Sequence, residues 1–223
     1  MNFYNNKLSS KKYLSILTKY KKRINCDFLL KNTGSFIGDK ALFKFLFCFE
    51  LVRDTKNIKG DIIELGVWNG NNLISFKKFL DFFKIKKKIF GFDHFKGMPK
   101  NFKRNSFRGD KNFIKYIINF FNLKNIQLID DDIMNLRSYS KKFKKFSIIY
   151  IDCDLYETTK VILEELAQKV SKGGYIIFDE GNQKGKSGET KALKEFYRKN
   201  KKKFKIFYSK KGYQPDVFLK KIY

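Results

Sequence analysis

The chain has one histidine, His94, and three scattered cysteines, Cys26, Cys48 and Cys153, among 223 residues. That scarcity excludes the Cys/His ligand sets of zinc sites, and a single imidazole makes a Ser-His-Asp or Cys-His hydrolase a poor fit. An odd number of scattered thiols offers no disulfide framework and suits a reducing compartment. No run approaches the roughly 20 apolar residues of a membrane-spanning helix. Lysines 11, 12, 19, 21 and 22 break up any secretory apolar segment in residues 1–30. A cytoplasmic protein is therefore expected. With two prolines and no Pro/Gly/Ser-rich stretch, the chain has no linker, and a single globular unit follows.

Acids are scarce as well: 22 against 49 Lys and Arg, for a formal net charge of +27. Such a balance suggests a polyanionic partner, nucleic acid above all. Arginine is the missing ingredient, at 6 residues against 43 lysines, whereas bidentate recognition of phosphate and guanine favours arginine. The lysines are also spread over the whole chain rather than gathered in one patch. A nucleic-acid-modifying enzyme stays as the alternative reading, and a non-catalytic binding domain as a third.

The few acids that are present sit in particular places. Asp61–Leu65 (DIIEL), Lys88–Asp93 (KIFGFD), 126–129 (IQLI) and 147–151 (SIIYI) read as short strands buried on both faces, and so does the apolar run before Asp179. Of the 22 acids, nine lie at the ends of these strands: Glu64, Asp93, Asp130, Asp131, Asp132, Asp152, Asp154, Asp179 and Glu180. Strands alternating with helical patterns describe a parallel α/β sheet, whose ligands bind beyond the carboxyl ends of the strands. Carboxylates converging there need a cation or shared protons, and hard oxygen donors point to Mg²⁺ or a similar ion.

Glu64-x-Gly66-x-x-x-Gly70 after the first strand resembles a nucleotide-binding glycine turn, with Trp68 where a dinucleotide fingerprint has glycine. Asn71 is expected to cap the next helix. Asp93 ends the second strand, at a position suited to ribose hydroxyls. Leu42, Leu46, Phe49 and Val52 mark a helix over Ala41–Thr55, with that stripe buried on the sheet or beneath a lid. Cys153, between two acids, is expected to point away from them into packing.

Four segments in order, Glu64-Leu-Gly-Val-Trp-Asn-Gly, Asp93-His-Phe-Lys-Gly-Met-Pro, Asp152-Cys-Asp-Leu-Tyr-Glu-Thr-Thr and Gly173-Gly-Tyr-Ile-Ile-Phe-Asp-Glu, resemble the macrocin-O-methyltransferase family. The family comprises S-adenosylmethionine-dependent, metal-dependent sugar O-methyltransferases, and the resemblance covers roughly residues 60–197. It implies a class I methyltransferase (Rossmann-like) fold: a mostly parallel seven-stranded sheet, last strand antiparallel, helices on both faces. Residues 1–58 would form an N-terminal helical segment or lid, and residues 59–223 the methyltransferase domain. Glu64, Gly66 and Gly70 would hold the methionine end of S-adenosylmethionine. Asp93 would bind the ribose, and Asp131 or Asp132 would lie near adenine. Val67, Trp68, Asn71, His94 and Asp152 would line the same cofactor site. Asp152, Asp179 and Glu180 would ligate Mg²⁺, and Asp154 takes the place of the general base. The family usually has Asp-Asp where this chain has Asp179-Glu180. The implied partner is a small molecule or glycan carrying a sugar hydroxyl, its pocket shaped by residues 1–58 and the Phe95–Asp110 loop. Assembly into a homo-oligomer stays open.

Overall fold

The computed structural model describes residues 12, 15–22, 24–98, 107–182, 188–209 and 212–223. Residues 99–106 of the expected acceptor loop fall outside that range, as do residues 183–187 after Glu180.

Strands β1 (Asp61–Leu65), β2 (Ile89–Asp93), β3 (Ile126–Asp130), β4 (Phe146–Ile151), β5 (Val170–Phe178), β6 (Phe204–Tyr208) and β7 (Val217–Lys221) form one sheet. Their order is β3-β2-β1-β4-β5-β7-β6. Strand β7 is antiparallel to both neighbours, and every other strand runs the opposite way to it. This is the expected mostly parallel, seven-stranded arrangement.

Side chains alternate across the sheet, so each buried strand feeds two cores. Ile62, Ile148, Tyr150 and Ile177 pack with Cys48, Leu51 and Val52 of the Asp39–Asp54 helix, and with Leu73, Phe76 and Leu80 of the Asn71–Phe82 helix. Ile63, Leu65, Ile149, Ile151, Ile176 and Phe178 face the opposite way. They pack with Ile162, Leu163 and Leu166 of the Tyr156–Leu166 helix and with Ala192 and Leu193 of the Gly188–Asn200 helix. Burial on both faces is why β1, β4 and the end of β5 are mostly apolar in the sequence instead of alternating.

Two local expectations are corrected. In the Asp39–Asp54 helix the expected stripe is buried only in its second half: Leu42 and Leu46 are 40% and 50% exposed, while Val52 is buried and Phe49 packs on the core, with Cys48 and Leu51 buried beside them. The first turns of this helix run over the carboxyl ends of the strands, where Lys44 rather than a leucine turns inward. The cap of the Asn71–Phe82 helix is Gly70, not Asn71, because the entry turn takes the left-handed conformation (φ +79°) that glycine adopts without strain.

The strand order reverses between β1 and β4: from β1 the chain moves outward to β2 and β3, then returns to the other side as β4. Such a switch point opens a crevice beyond the strand ends. At Gly66 (φ +88°) an added Cβ would lie 2.0 Å from the Asp152 carbonyl oxygen. Only glycine lets the two strand ends come this close.

Candidate active site

A cavity of about 660 Å³ opens at this switch point, walled by the turn after β1 and by the loops after β2, β4 and β5. On the β1–β2 side, Asp93 organises the wall. Its Oδ2 accepts the backbone N–H groups of Val67 (2.8 Å) and Trp68 (2.9 Å), and its Oδ1 accepts that of Phe95 (2.7 Å). Asp93 thus fixes the glycine turn while still facing the cavity. Trp68, in the left-handed region at φ 48°, swings its ring outward to meet Phe107 edge-on at 6.3 Å. The bulky residue therefore does not fill the turn.

Glu64 is 1% exposed and lines the same cavity. Its Oε2 is buried without a hydrogen-bond partner among the described residues. Burial, then the negative charge of Asp152, pushes its carboxyl well above the usual range, while Asn72 hydrogen-bonds it and Lys44 opposes the shift. A buried carboxylate oxygen without a donor is costly unless one arrives with a ligand. An ammonium-bearing ligand at a glycine turn, such as the methionine end of S-adenosylmethionine, meets that need.

On the β4–β5 side the acids do converge, but around a lysine. Lys44 Nζ lies 3.1 Å from Asp152 Oδ2 and 2.8 Å from Asp179 Oδ1, and 5.5 Å above the Tyr150 ring. The Tyr150 hydroxyl, at the end of a fully buried side chain, donates to Asp179 Oδ1 at 2.7 Å. Burial alone would lower the Lys44 pKa, yet the charges of Asp152 and Asp179 outweigh it and hold the ammonium protonated. Burial and then the charge of Asp179 raise Asp152, against the pull of Lys44. Burial followed by Asp179 likewise raises Asp154. Asp154 itself sits in the left-handed region at φ 59°, a conformation that aspartate tolerates better than most residues.

Glu189 holds the two acidic loops together. It is 0% exposed; Oε1 accepts the N–H groups of Cys153 (2.9 Å) and Asp154 (3.1 Å), and Oε2 accepts that of Glu180 (2.9 Å). Thr190 Oγ1 donates to the Glu180 carbonyl at 2.9 Å, and Gln214 Nε2 donates to Glu180 Oε1 at 3.1 Å. Gly188 completes the junction, since a Cβ there would lie 2.0 Å from the Tyr156 nitrogen.

Most expected residues gather in this one cavity. Glu64, Gly66, Val67, Trp68 and Asn71 line it from the β1 side, and Asp93, His94 and Asp132 from the next two loops. Asp152, Asp154, Asp179 and Glu180 complete it. Gly70 shapes the turn from behind, against Ile114. Asp131 faces a neighbouring depression, its oxygens taken by Asn135 Nδ2 (2.9 Å), the Asp132 N–H (2.7 Å) and the Tyr139 hydroxyl (2.7 Å). Cys153 lies past the end of β4, where strand alternation no longer applies. It packs partly on the core with Sγ 3.1 Å from the Leu65 carbonyl, yet also touches the cavity. Lys44, Tyr150, Glu189 and Gln214 were not anticipated. The signal for Lys44 was in the sequence: it falls four and seven residues before Cys48 and Leu51, on the buried face of its helix.

The expected Mg²⁺ ligand set is not assembled. An ammonium already bridges Asp152 and Asp179, and Gln214 holds the third carboxylate, Glu180. Among the described residues no group of three His, Cys, Asp or Glu side chains is arranged to hold a metal ion. The residues as placed do not fit a three-carboxylate site for a hard dication.

Strand order, the single antiparallel β7 and a glycine turn beside an acidic crevice define the class I methyltransferase architecture. The chain belongs to the macrocin-O-methyltransferase (TylF) family, whose model matches residues 5–207. It is 28% identical over 166 residues to demethyldecarbamoylnovobiocin O-methyltransferase of Streptomyces niveus, covering 67% of this chain and 63% of that protein. It is 27% identical over 161 residues to 8-demethyl-8-(2,3-dimethoxy-alpha-L-rhamnosyl)-tetracenomycin-C 4'-O-methyltransferase of Streptomyces olivaceus, covering 65% of this chain and 61% of that one. The matches thus span less than two thirds of either relative. Among solved structures, the calicheamicin methyltransferase CalS11 superposes with a TM-score of 0.74 at 21% identity, covering 95% of this chain and 91% of that one. The O-methyltransferase NovP gives 0.68 at 21% identity, with 84% and 82% covered. No helix among the described residues is long and apolar enough to cross a membrane.

Proposed function

We propose that this protein transfers a methyl group from S-adenosylmethionine to a hydroxyl of a sugar or glycoside. The observation that carries the reading is the cavity itself: an unpaired, buried Glu64 oxygen at the glycine turn, and an acid cluster around Asp154 facing it across the same space. The family membership and the sugar-directed names of the relatives support the choice of acceptor.

When bound, S-adenosylmethionine supplies an electrophilic methyl on a sulfonium, which departs without acid assistance. The protein has three tasks. Glu64 would hold the ammonium of the methionine end, on a turn whose shape Gly66 and Gly70 allow by packing against Asp152 and Ile114. Asp93, which already fixes the turn, would hold the ribose, and Asp132 rather than Asp131 would lie toward adenine, because Asp131 is committed to Asn135 and Tyr139. Asp154 accepts the proton of the acceptor hydroxyl as the methyl group arrives. Enclosure in a shared cavity supplies the alignment, worth orders of magnitude in effective molarity. No step passes through Mg²⁺, since Lys44 bridges two of the three carboxylates that would hold it. The Asp39–Asp54 helix, through Lys44, walls the acceptor side of the cavity.

The test is Asp154→Asn beside Asp152→Asn, assayed with labelled S-adenosylmethionine against nucleotide-sugars and glycosides. Asp154→Asn is expected to lower turnover by about 10²–10⁴-fold while S-adenosylhomocysteine still binds in calorimetry. Undiminished turnover in both variants would sink the proposal.

A further inference from the structure

Lys44 is the only lysine or arginine lining the cavity among the described residues, in a chain that carries 49 of them. Its placement is built into the fold. Lys44, Cys48, Leu51 and Val52 follow the spacing of one helix face, and the last three are buried against the sheet. The helix is pinned on the neighbouring face by Phe43 against Tyr213 (4.6 Å between rings) and Phe47 against Phe218 (5.4 Å). Lys44 therefore occupies the position where another core residue would continue the stripe. Instead it projects an ammonium to the ends of β4 and β5.

That ammonium meets two carboxylates, Asp152 Oδ2 at 3.1 Å and Asp179 Oδ1 at 2.8 Å. Asp179 is further fixed by the Tyr150 hydroxyl, and Glu180 by Gln214. A lysine ammonium has three N–H donors. Two are used here, leaving one for an incoming oxygen. A dication sharing the same carboxylate oxygens would have to sit beside this positive charge or expel it, and like charges at that range in a part-buried site repel strongly.

We propose that Lys44 is the resident cation of this active site, doing with an ammonium what a divalent ion does elsewhere. This deepens the methyltransferase reading and rests on it. The third N–H of Lys44 donates to the acceptor oxygen and aligns it, and Asp154 takes that oxygen's proton. The new O–CH₃ bond forms as the S–CH₃ bond breaks, and its electron pair stays on sulfur, giving S-adenosylhomocysteine. Lys44 remains protonated throughout. Because an ammonium carries half the charge of a dication and polarises less, proton removal by Asp154 and methyl transfer run together. The reaction consequently needs no added metal.

The experiment uses the full chain after chelator treatment, with Mn²⁺ alone as the probe, followed by its electron paramagnetic resonance signal. Wild type is expected to take up no stoichiometric Mn²⁺ and to turn over equally with Mg²⁺ or with EDTA. Lys44→Met removes the ammonium and keeps the length of the side chain. It is expected to gain one Mn²⁺ site at the freed Asp152–Asp179 pair and to lose metal-free turnover by about 10²-fold or more, with S-adenosylhomocysteine still binding. Lys44→Arg, which keeps the charge, should fold, bind no Mn²⁺ and retain part of the metal-free rate. A wild-type protein that binds one Mn²⁺ and falls silent in EDTA would overturn the proposal without needing any variant. So would full metal-free turnover by Lys44→Met. Wild type that binds no S-adenosylhomocysteine would instead strike at the methyltransferase reading, which the manganese titration does not touch.

Discussion

The two sides of the cavity are held together differently. Beyond β2 and β3, carboxylates satisfy groups close by in the chain: Asp93 takes the N–H two residues on, Asp132 that of Met134, and Asp131 the side chains of Asn135 and Tyr139. The longest reach of a carboxylate on that side is from Asp93 to the turn after the adjacent strand, 26 residues away. Beyond β4 and β5 the partners are remote. Lys44 lies 108 residues from Asp152, Glu189 lies 36 from Cys153, and Gln214 lies 34 from Glu180. The proposed cofactor side is therefore turn geometry that forms with its own strands. The proposed acceptor side exists only once five separate segments have docked. A change on the first should act locally, and a change on the second should disturb several loops at once.

Glu189 gives the largest expected effect. Glu189→Gln keeps the shape but puts an NH₂ where one carboxylate oxygen accepted backbone N–H groups, so at least one buried donor loses its acceptor. The cost is about 2–4 kcal/mol of stability, seen as a melting temperature several degrees lower. Turnover should fall by about 10²-fold, because the loops carrying Asp154 and Glu180 lose their common anchor. If melting and turnover both match wild type, the acceptor side is not assembled through Glu189 and the contrast between the two sides fails.

Glu64→Gln probes the other side. Here a buried carboxylate with one unpaired oxygen is replaced by a neutral group of the same shape, which removes a desolvation cost from the free protein. The melting temperature is expected to rise slightly, while S-adenosylhomocysteine binds about 10²-fold more weakly by calorimetry. That pairing of higher stability with weaker binding marks a residue kept for its ligand. Loss of stability comparable to that of Glu189→Gln would erase the distinction.

The same contrast decides what could be read in advance. Strands β1, β2 and β4 were legible because burial on both faces leaves apolar runs ending in acids, and the sheet order then puts those acids at one edge. Asp93 and the glycine turn were legible because their partners are local. Lys44 was hidden by number: one part-buried lysine among 43 carries no compositional mark. Its helix is apolar nearly all round (ALFKFLFCFELV), so two overlapping stripes compete, and periodicity chose Leu42 and Leu46, which are exposed, over Cys48 and Leu51. Glu189 looked like an ordinary acid in the first turn of a helix, where the helix dipole already explains a carboxylate. Only the fold reveals that it reaches three backbone N–H groups on two other loops.

The far end of the sheet offers a control outside both sides. Lys87, just before β2, is buried, and its Nζ donates to the carbonyls of Thr55 (2.9 Å) and Ile58 (2.6 Å), tying down the connection into β1. Burial pushes its pKa down to about 8, with Asp61 opposing. The folded value lies below the unfolded one, so between about pH 8 and the ordinary lysine range the unfolded chain binds more protons. Stability from this group must then rise as pH rises through that window. Denaturant unfolding of wild type and Lys87→Met at several pH values isolates the effect: the gap between them should widen modestly from about pH 8 upward. Turnover of the two proteins should change together with pH, because Lys87 lies at the amino ends of the strands and the cavity at their carboxyl ends. A gap that narrows over this window would reverse the assigned shift. A turnover profile altered only in the variant would mean that the two ends of the sheet are not independent.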